Sequence, residues 1–537
     1  MADQTHAPEA HIPMSRRSLF KMIGMAAGSA VMYQAMTDLG YAGESGYTGP
    51  VKLQGDPKGA SVLVLGAGLA GLTAAMELSR AGYHVQVLEY QHKAGGRNIS
   101  IRGGDVINEI GGVKQPCHFD PGFYINPGPM RIPYHHVALL DYCKRLNVVL
   151  EPIIIVNYNA MIHNSKAFGG KPRRYREVET DFRGHVSELL AKTAQQGKLD
   201  QAVTKEDAEI LMTALRSWGA LDKDYNYKKS GNVSNHRGYD VDPGGGLSWQ
   251  PTDSEPMTLS ELLQSNLWGG LLTGHEYEYQ MTMFEPVGGM DMISKGFVKA
   301  LPKDMIKYNC KVTDVKQDAS GVTVSYVDSQ KGGPVQTAKA NWCVNTIPAT
   351  ILSQIPMQIG APLRNAINSL SYSAGFKAGI QMKRRWWEDD ERIYGGISYT
   401  DTPIALISYP STQYMQTKKG VILGAYTFGP HAFEFTAMAP EDRVKACVEY
   451  GSQIHPQYKT EFDNGVGIGW HRMPFTLGCF AQWTEENRAK NYDALCAIDG
   501  HMVLAGEHAS HLGAWQEGAI VSALDAIKRL HQRVMTA

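Results

Sequence analysis

Four residues of this 537-residue chain carry side chains suited to binding and turning over a small molecule. Arg131 stands in Tyr124-Ile125-Asn126-Pro127-Gly128-Pro129-Met130-Arg131-Ile132-Pro133. An arginine fork gives a carboxylate two parallel charge-assisted hydrogen bonds and fixes its orientation. The plainer alternative is an arginine bridging two helices. Lys377 interrupts the otherwise apolar run Ser373-Ala374-Gly375-Phe376-Lys377-Ala378-Gly379-Ile380. A lysine there either snorkels to solvent or serves chemistry. Tyr426 ends the apolar strand Val421–Tyr426, and Trp515 lies in Gly513-Ala514-Trp515-Gln516-Glu517-Gly518. Each of these two has an ordinary reading as core packing. What decides among the alternatives is the set of elements that positions them.

The clearest of those elements begins at Ser61-Val62-Leu63-Val64-Leu65, an apolar β-rich run followed by Gly66-Ala67-Gly68-Leu69-Ala70-Gly71. Residues from Leu72 to Arg80 then repeat apolar side chains at helical spacing, ended by Gly82. A second strand, His84-Val85-Gln86-Val87-Leu88, finishes at Glu89. Strand, glycine turn, helix, strand and acid form a dinucleotide-binding unit. Gly66 permits the tight turn, Gly68 lets a pyrophosphate approach the backbone, and Gly71 lets the helix pack on the strand. The helix N-terminus offers N–H groups and partial positive charge to the phosphates. Glu89 is placed to accept from ribose hydroxyls and would repel a 2′-phosphate, which disfavours NADP.

Further on, Gly95-Gly96-Arg97 resembles the arrangement typical of the flavin amine oxidases, which identifies the dinucleotide as FAD. The resemblance implies that the two glycines approach the cofactor and that Arg97 reaches its pyrophosphate. Near the other end, Val503-Leu504-Ala505-Gly506-Glu507 is similar to the family's second anchor, where the glutamate holds the ribityl chain and the next helix, expected from Ala514 to Leu530, points its N-terminus at the flavin. Asn345-Thr346-Ile347-Pro348 resembles a strand-to-proline turn of the same site.

The Gly128-Pro129-Met130-Arg131 segment resembles that of L-amino-acid oxidases in particular. The resemblance gives Arg131 and Tyr426 the substrate α-carboxylate, places Trp515 and Ala514 beside the substrate at the flavin face, and gives Lys377 a water near flavin N5 that assists dioxygen. Lys377, Arg131, Tyr426 and Trp515 are thereby the expected catalytic group. The cofactor is expected against Gly66, Gly68, Leu69, Ala70, Gly71, Glu89, Gly95, Gly96, Arg97, Gly128, Pro129, Met130, Arg131, Val312, Gly506, Glu507, Trp515, Gln516 and Ala519. The implied reaction moves a hydride from Cα to FAD, regenerates FAD with dioxygen to give hydrogen peroxide, and hydrolyses the imine to a 2-oxo acid and ammonia. Removing the amine proton needs a base or a desolvated pocket. His275, in Gly274-His275-Glu276-Tyr277, is a candidate base set against a surface histidine. Gly478-Cys479-Phe480-Ala481-Gln482-Trp483 resembles the segment of a covalent flavin-linking cysteine in monoamine oxidases, but its glycine pair is incomplete, so noncovalent FAD is expected.

The resemblance implies an α/β fold: a Rossmann-like FAD-binding domain of residues 57–150, 285–350 and 465–530, interrupted by a partly helical insertion (151–284) and a mixed-sheet substrate domain (351–464). Thr258 and Glu261 have capping-box spacing and start a helix, whereas the Asn-, Asp- and Gly-rich stretch 231–246 looks like loop. Residues 1–42 include Ser15-Arg16-Arg17-Ser18-Leu19-Phe20-Lys21, which resembles a twin-arginine export signal, and Tyr41-Ala42-Gly43 is a candidate cleavage region. A functional signal implies a periplasmic or secreted protein; a non-functional one implies a cytoplasmic protein.

Fifty-two basic against 53 acidic residues give a net charge of −1, which provides no basic excess for nucleic acid. The seven cysteines never occur as CxxC and offer no zinc-ligand spacing. No apolar run is long enough for stable membrane insertion. A homodimer or higher homo-oligomer is expected from the general frequency of symmetric assemblies. Three other activities share these motifs: oxidation or dehydrogenation of an amine that is not an amino acid, amino-acid 2-monooxygenation, and flavin binding without catalysis. The first would not depend on Arg131, the second would use the same binding residues, and the retention of Arg131, Tyr426, Lys377 and Trp515 argues against the third.

Overall fold

A computed structural model of the chain describes residues 45–200, 203–247 and 249–536. The twin-arginine segment and its cleavage region lie outside the described residues.

The glycine-turn unit forms as its sequence predicts. Strand β1 (Ser61–Leu65), helix α1 (Leu69–Arg80) and strand β2 (His84–Leu88) are followed in the same sheet by β3 (Ile306–Lys307), β4 (Trp342–Asn345) and β5 (Met502–Leu504). The spatial order is β3-β2-β1-β4-β5, with every pairing parallel. Alternation along β1 divides its side chains between two cores. Val62 and Val64 pack with α1 and with the closing helix α2 (Gln516–Thr536), while Leu63 and Leu65 pack under an antiparallel sheet spanning 310–340. This is an α/β fold whose central sheet is assembled from distant parts of the chain.

Two boundaries differ from expectation. Helix α1 starts at Leu69 rather than Leu72, because Gly68 is the last extended residue and its carbonyl accepts Leu72 N–H at 2.9 Å. Helix α2 starts at Gln516 rather than Ala514, because Ala514 has a left-handed φ of 66° that no helix can include. Its second residue, Glu517, is fully buried and accepts the N–H groups of Ala138 and Leu139, capping the helix Val137–Arg145.

A seven-stranded mixed sheet forms the second layer, ordered 173–174, 161–163, 397–400, 406–408, 420–428, 375–382 and 462–469. Its strand Gly375–Met382 is buried throughout and pairs Lys377 directly with Tyr426. Residues 151–284 contribute two of the strands and several helices. Thr258 and Glu261 close the expected capping box. The loop expected over 231–246 is corrected: Gly231–Arg237 is helical. Ser230 caps it, Arg237 is buried against Asp181 at 2.9 Å, and Gly238 at φ 97° ends it. Composition suggested a loop, but a cap and a buried ion pair outweigh weak helix propensity.

Candidate active site

A cavity of about 620 Å³ runs between the two sheets. At one end it meets the β1–α1 turn. A Cβ on Gly71 would lie 1.9 Å from the Gly66 carbonyl oxygen, and one on Gly66 would lie 2.7 Å from Thr346 Oγ1. Both glycines are therefore required for backbone and neighbour packing. Gly68 differs: a Cβ there meets nothing within 4 Å and would project into the cavity it lines. The open space beside Gly68 and the first N–H groups of α1 suit a pyrophosphate. Glu89 lines the same end, 4% exposed. Its Oε2 accepts Ala67 N–H at 2.6 Å and its Oε1 accepts Gln91 N–H at 2.8 Å. Burial raises its carboxyl to about 7 against these bonds. Each oxygen retains capacity for a ribose hydroxyl. Val312 lies nearby, where the ladder slips by one residue before Asp314.

The first and last segments of the chain meet in the middle of the cavity. Arg97 Nη1 donates to Glu507 Oε1 at 2.8 Å and to the Cys479 carbonyl at 2.7 Å. Glu507 also accepts the N–H groups of Ala481 and Ala514. Trp470 Nε1 donates to the Pro127 carbonyl at 2.7 Å and fixes the turn before Gly128, where a Cβ would lie 2.0 Å from Arg97 O. Burial pushes the Cys479 thiol up to about 11, opposed by Arg97 and Lys377, so it stays a thiol near neutral pH.

At the far end stand the side chains suited to a substrate. Lys377 is 2% exposed, donates to the carbonyls of Gly128 and Asn126, and lies 4.0 Å from the centre of the Tyr426 ring. Loss of hydration lowers its amine to about 7; Cys479 opposes that shift and Arg131 adds to it. Arg131 is 5% exposed and lies over two aromatic rings, Tyr279 at 4.4 Å and Trp515 at 5.8 Å. Cation–π contact with two rings favours the charged guanidinium at this buried position. Trp515 Nε1 donates to Glu278 Oε2 at 2.9 Å, and His136 meets the Trp515 ring edge-on at 5.0 Å.

The cavity gathers Arg131, Lys377, Tyr426, Ala514 and Trp515 with the glycine turn, Glu89, Arg97, Glu507, Gln516 and Ala519. Gly71 stands behind its wall, as its packing role requires. His275 is exposed at the end of the 3-10 turn Leu267–His275 and does not line the cavity. Three residues further on, Glu278 and Tyr279 do line it. Sequence reading missed them because Glu276-Tyr277-Glu278-Tyr279 has the polarity of a surface turn. Asn98 was missed as well; it bridges Gln516 and the Met290 carbonyl at the cavity wall.

Comparison with known proteins identifies relatives in sequence and in fold. YobN of Bacillus subtilis (strain 168), provisionally named an L-amino-acid oxidase, is 28% identical over 476 residues, covering 86% of this chain and 93% of its own. The L-amino-acid oxidase of Vipera ammodytes ammodytes is 27% identical over 497 residues, covering 90% and 94%. Among solved structures, cyclohexylamine oxidase from Brevibacterium oxydans IH-35A superposes with a TM-score of 0.59 at 14% identity, covering 89% of this chain and all of that one. Putrescine oxidase bound to putrescine gives 0.57 at 16%, covering 89% and 99%. These two share the fold. The sequence profile of flavin containing amine oxidoreductases matches residues 69–530, from the first turn of α1 to the last turns of α2. The chain belongs to the flavin containing amine oxidoreductase family.

Proposed function

We propose that this protein is an FAD-dependent L-amino-acid oxidase. The observation that carries the reading is Arg131, buried in the same cavity as Lys377 and in cation–π contact with Tyr279 and Trp515. An α-carboxylate can meet this guanidinium as a planar anion, and a simple amine carries no such group. The two relatives at 28% and 27% identity carry L-amino-acid oxidase names and support amino acids, and the family supplies a flavin.

Gly68 and the start of α1 would cradle the FAD pyrophosphate, Glu89 the adenosine ribose, and Arg97 with Glu507 the middle of the cofactor. Binding is assigned as noncovalent, because the glycine pair beside Cys479 is incomplete and burial disfavours its thiolate. When bound, FAD supplies the hydride acceptor and the route to dioxygen. The remaining tasks fall to the chain. Arg131 and the Tyr426 hydroxyl bind the α-carboxylate and fix the rotation of the substrate about Cα. Trp515 and Tyr426 wall the amine and exclude water. That desolvation favours the neutral amine, and no side-chain base is assigned to this step. Lys377, through its Nζ, would hold a water that assists reoxidation of the bound cofactor by dioxygen.

The test is anaerobic mixing with L-leucine and with its decarboxylated amine. The amino acid should bleach the flavin and the amine should not. Arg131→Ala should lower kcat/KM for L-leucine by about 30-fold to several thousand-fold. An unchanged value would move the chain to the simple-amine oxidases. Peroxide formed per dioxygen consumed should be close to one, and a value near zero would indicate monooxygenation.

A further inference from the structure

Glu278 is a buried charged residue of the cavity that this mechanism leaves unused. It lies in the 3-10 turn Tyr277–Tyr279, is 3% exposed, and lines the cavity beside Arg131 and Trp515. Its Oε2 accepts the Trp515 indole N–H, but its Oε1 is buried with no hydrogen-bond partner. A buried carboxylate oxygen left in that state is costly unless something cationic completes it. Arg131 lies 5.8 Å from the Trp515 ring whose N–H Glu278 accepts, whereas Lys377 lies against the Tyr426 ring. Arg131 thus stands between a lysine end and a glutamate end of the pocket. With the α-carboxylate on Arg131 and the reacting carbon toward Lys377, the substrate side chain extends toward Glu278.

We propose that Glu278 determines substrate specificity by pairing with a cationic side chain, so that the pocket favours L-arginine and L-lysine over neutral and acidic amino acids; this rests on the amino-acid oxidase reading above. Burial, with Glu276 acting in the same direction, pushes the Glu278 carboxyl up to about 8, while the Trp515 N–H and Arg131 oppose it. A guanidinium or ammonium arriving at Oε1 reverses the larger cause by supplying the missing counter-charge. A neutral or acidic side chain supplies no such counter-charge and leaves the Glu278 carboxyl uncharged, so it gains nothing from this residue. A plainer role, in which Glu278 only orients Trp515, requires a hydrogen-bond acceptor but no charge.

Glu278→Gln separates the two roles, because an amide oxygen still accepts from the indole while the charge is lost. Wild-type holoenzyme and the variant, matched for flavin content and melting temperature, are compared on L-arginine, L-lysine and L-leucine. Loss of the charge should lower kcat/KM for the two basic substrates by about 30-fold or more, mainly through KM, and leave L-leucine within about threefold. Equal losses on all three substrates would make Glu278 a positioning residue for Trp515 and overturn the proposal. No loss on any would overturn it too. Flavin bleaching by L-leucine checks the oxidase reading independently. If no L-amino acid bleaches the wild-type flavin, both readings fall.

Discussion

Lys377 is expensive to keep, which makes it the most informative residue for function. Burial lowers its amine to about 7 in the folded protein, whereas an unfolded lysine titrates at about 10.4. Between those values folding releases a proton, so stability rises with pH across that window. The group's penalty is complete below about pH 7 and gone above about pH 10. Replacing it by methionine removes the penalty but leaves the Gly128 and Asn126 carbonyls without this donor. Lys377→Met should therefore stabilise the flavin-free protein by about 1–3 kcal/mol at pH 7, and by progressively less toward pH 10. Urea unfolding at the two pH values measures the difference. In the holoenzyme the same variant should slow reoxidation by dioxygen at least about tenfold, with anaerobic reduction by substrate affected less. A variant that gains stability and loses only reoxidation separates a functional lysine from a structural one. Reoxidation at the wild-type rate would remove Lys377 from the reaction.

At the level of elements, the β1–α1 turn was fully legible because each glycine answers a separate steric demand, and those demands are local. The same locality makes their roles separable. Gly71→Ala drives a methyl group into the Gly66 carbonyl, a backbone atom that cannot step aside. It should cost about 3 kcal/mol even without flavin. Gly68→Ala meets no protein atom and starts from an ordinary φ of −72°. Its flavin-free stability should stay within about 0.5 kcal/mol of wild type, while flavin affinity falls about tenfold or more because the methyl group occupies the phosphate cradle. Melting the two flavin-free variants and titrating each with FAD gives four values. Equal behaviour of the two glycines would refute the division of roles. What sequence reading could not reach was non-local. The helix 231–237 depends on Arg237 meeting Asp181, and Glu278 depends on a polar turn being folded inward against Trp515. In each case the deciding partner lies far away in the chain, and local composition pointed the other way.

At the scale of the whole molecule, the cavity proposed to hold the cofactor is lined from both large sheets. The parallel sheet supplies the glycine turn and Glu89 from one side, and the mixed sheet supplies Lys377 and Tyr426 from the other. The Arg97–Glu507 pair and the Glu517 cap tie the last segment of the chain to the first hundred and fifty residues. A ligand filling this cavity binds the folded arrangement of both sheets and neither sheet when unfolded. Free FAD at about a hundred times its dissociation constant should then add about 2.7 kcal/mol, which for a chain of this length raises the melting temperature by about 2 °C. Because both sheets contact the site, the whole transition should move together when flavin is removed and restored. Differential scanning calorimetry of the stripped and reconstituted protein provides the measurement. Two transitions, with only one shifted by FAD, would mean that the mixed sheet unfolds on its own and that the cofactor stabilises the parallel sheet alone.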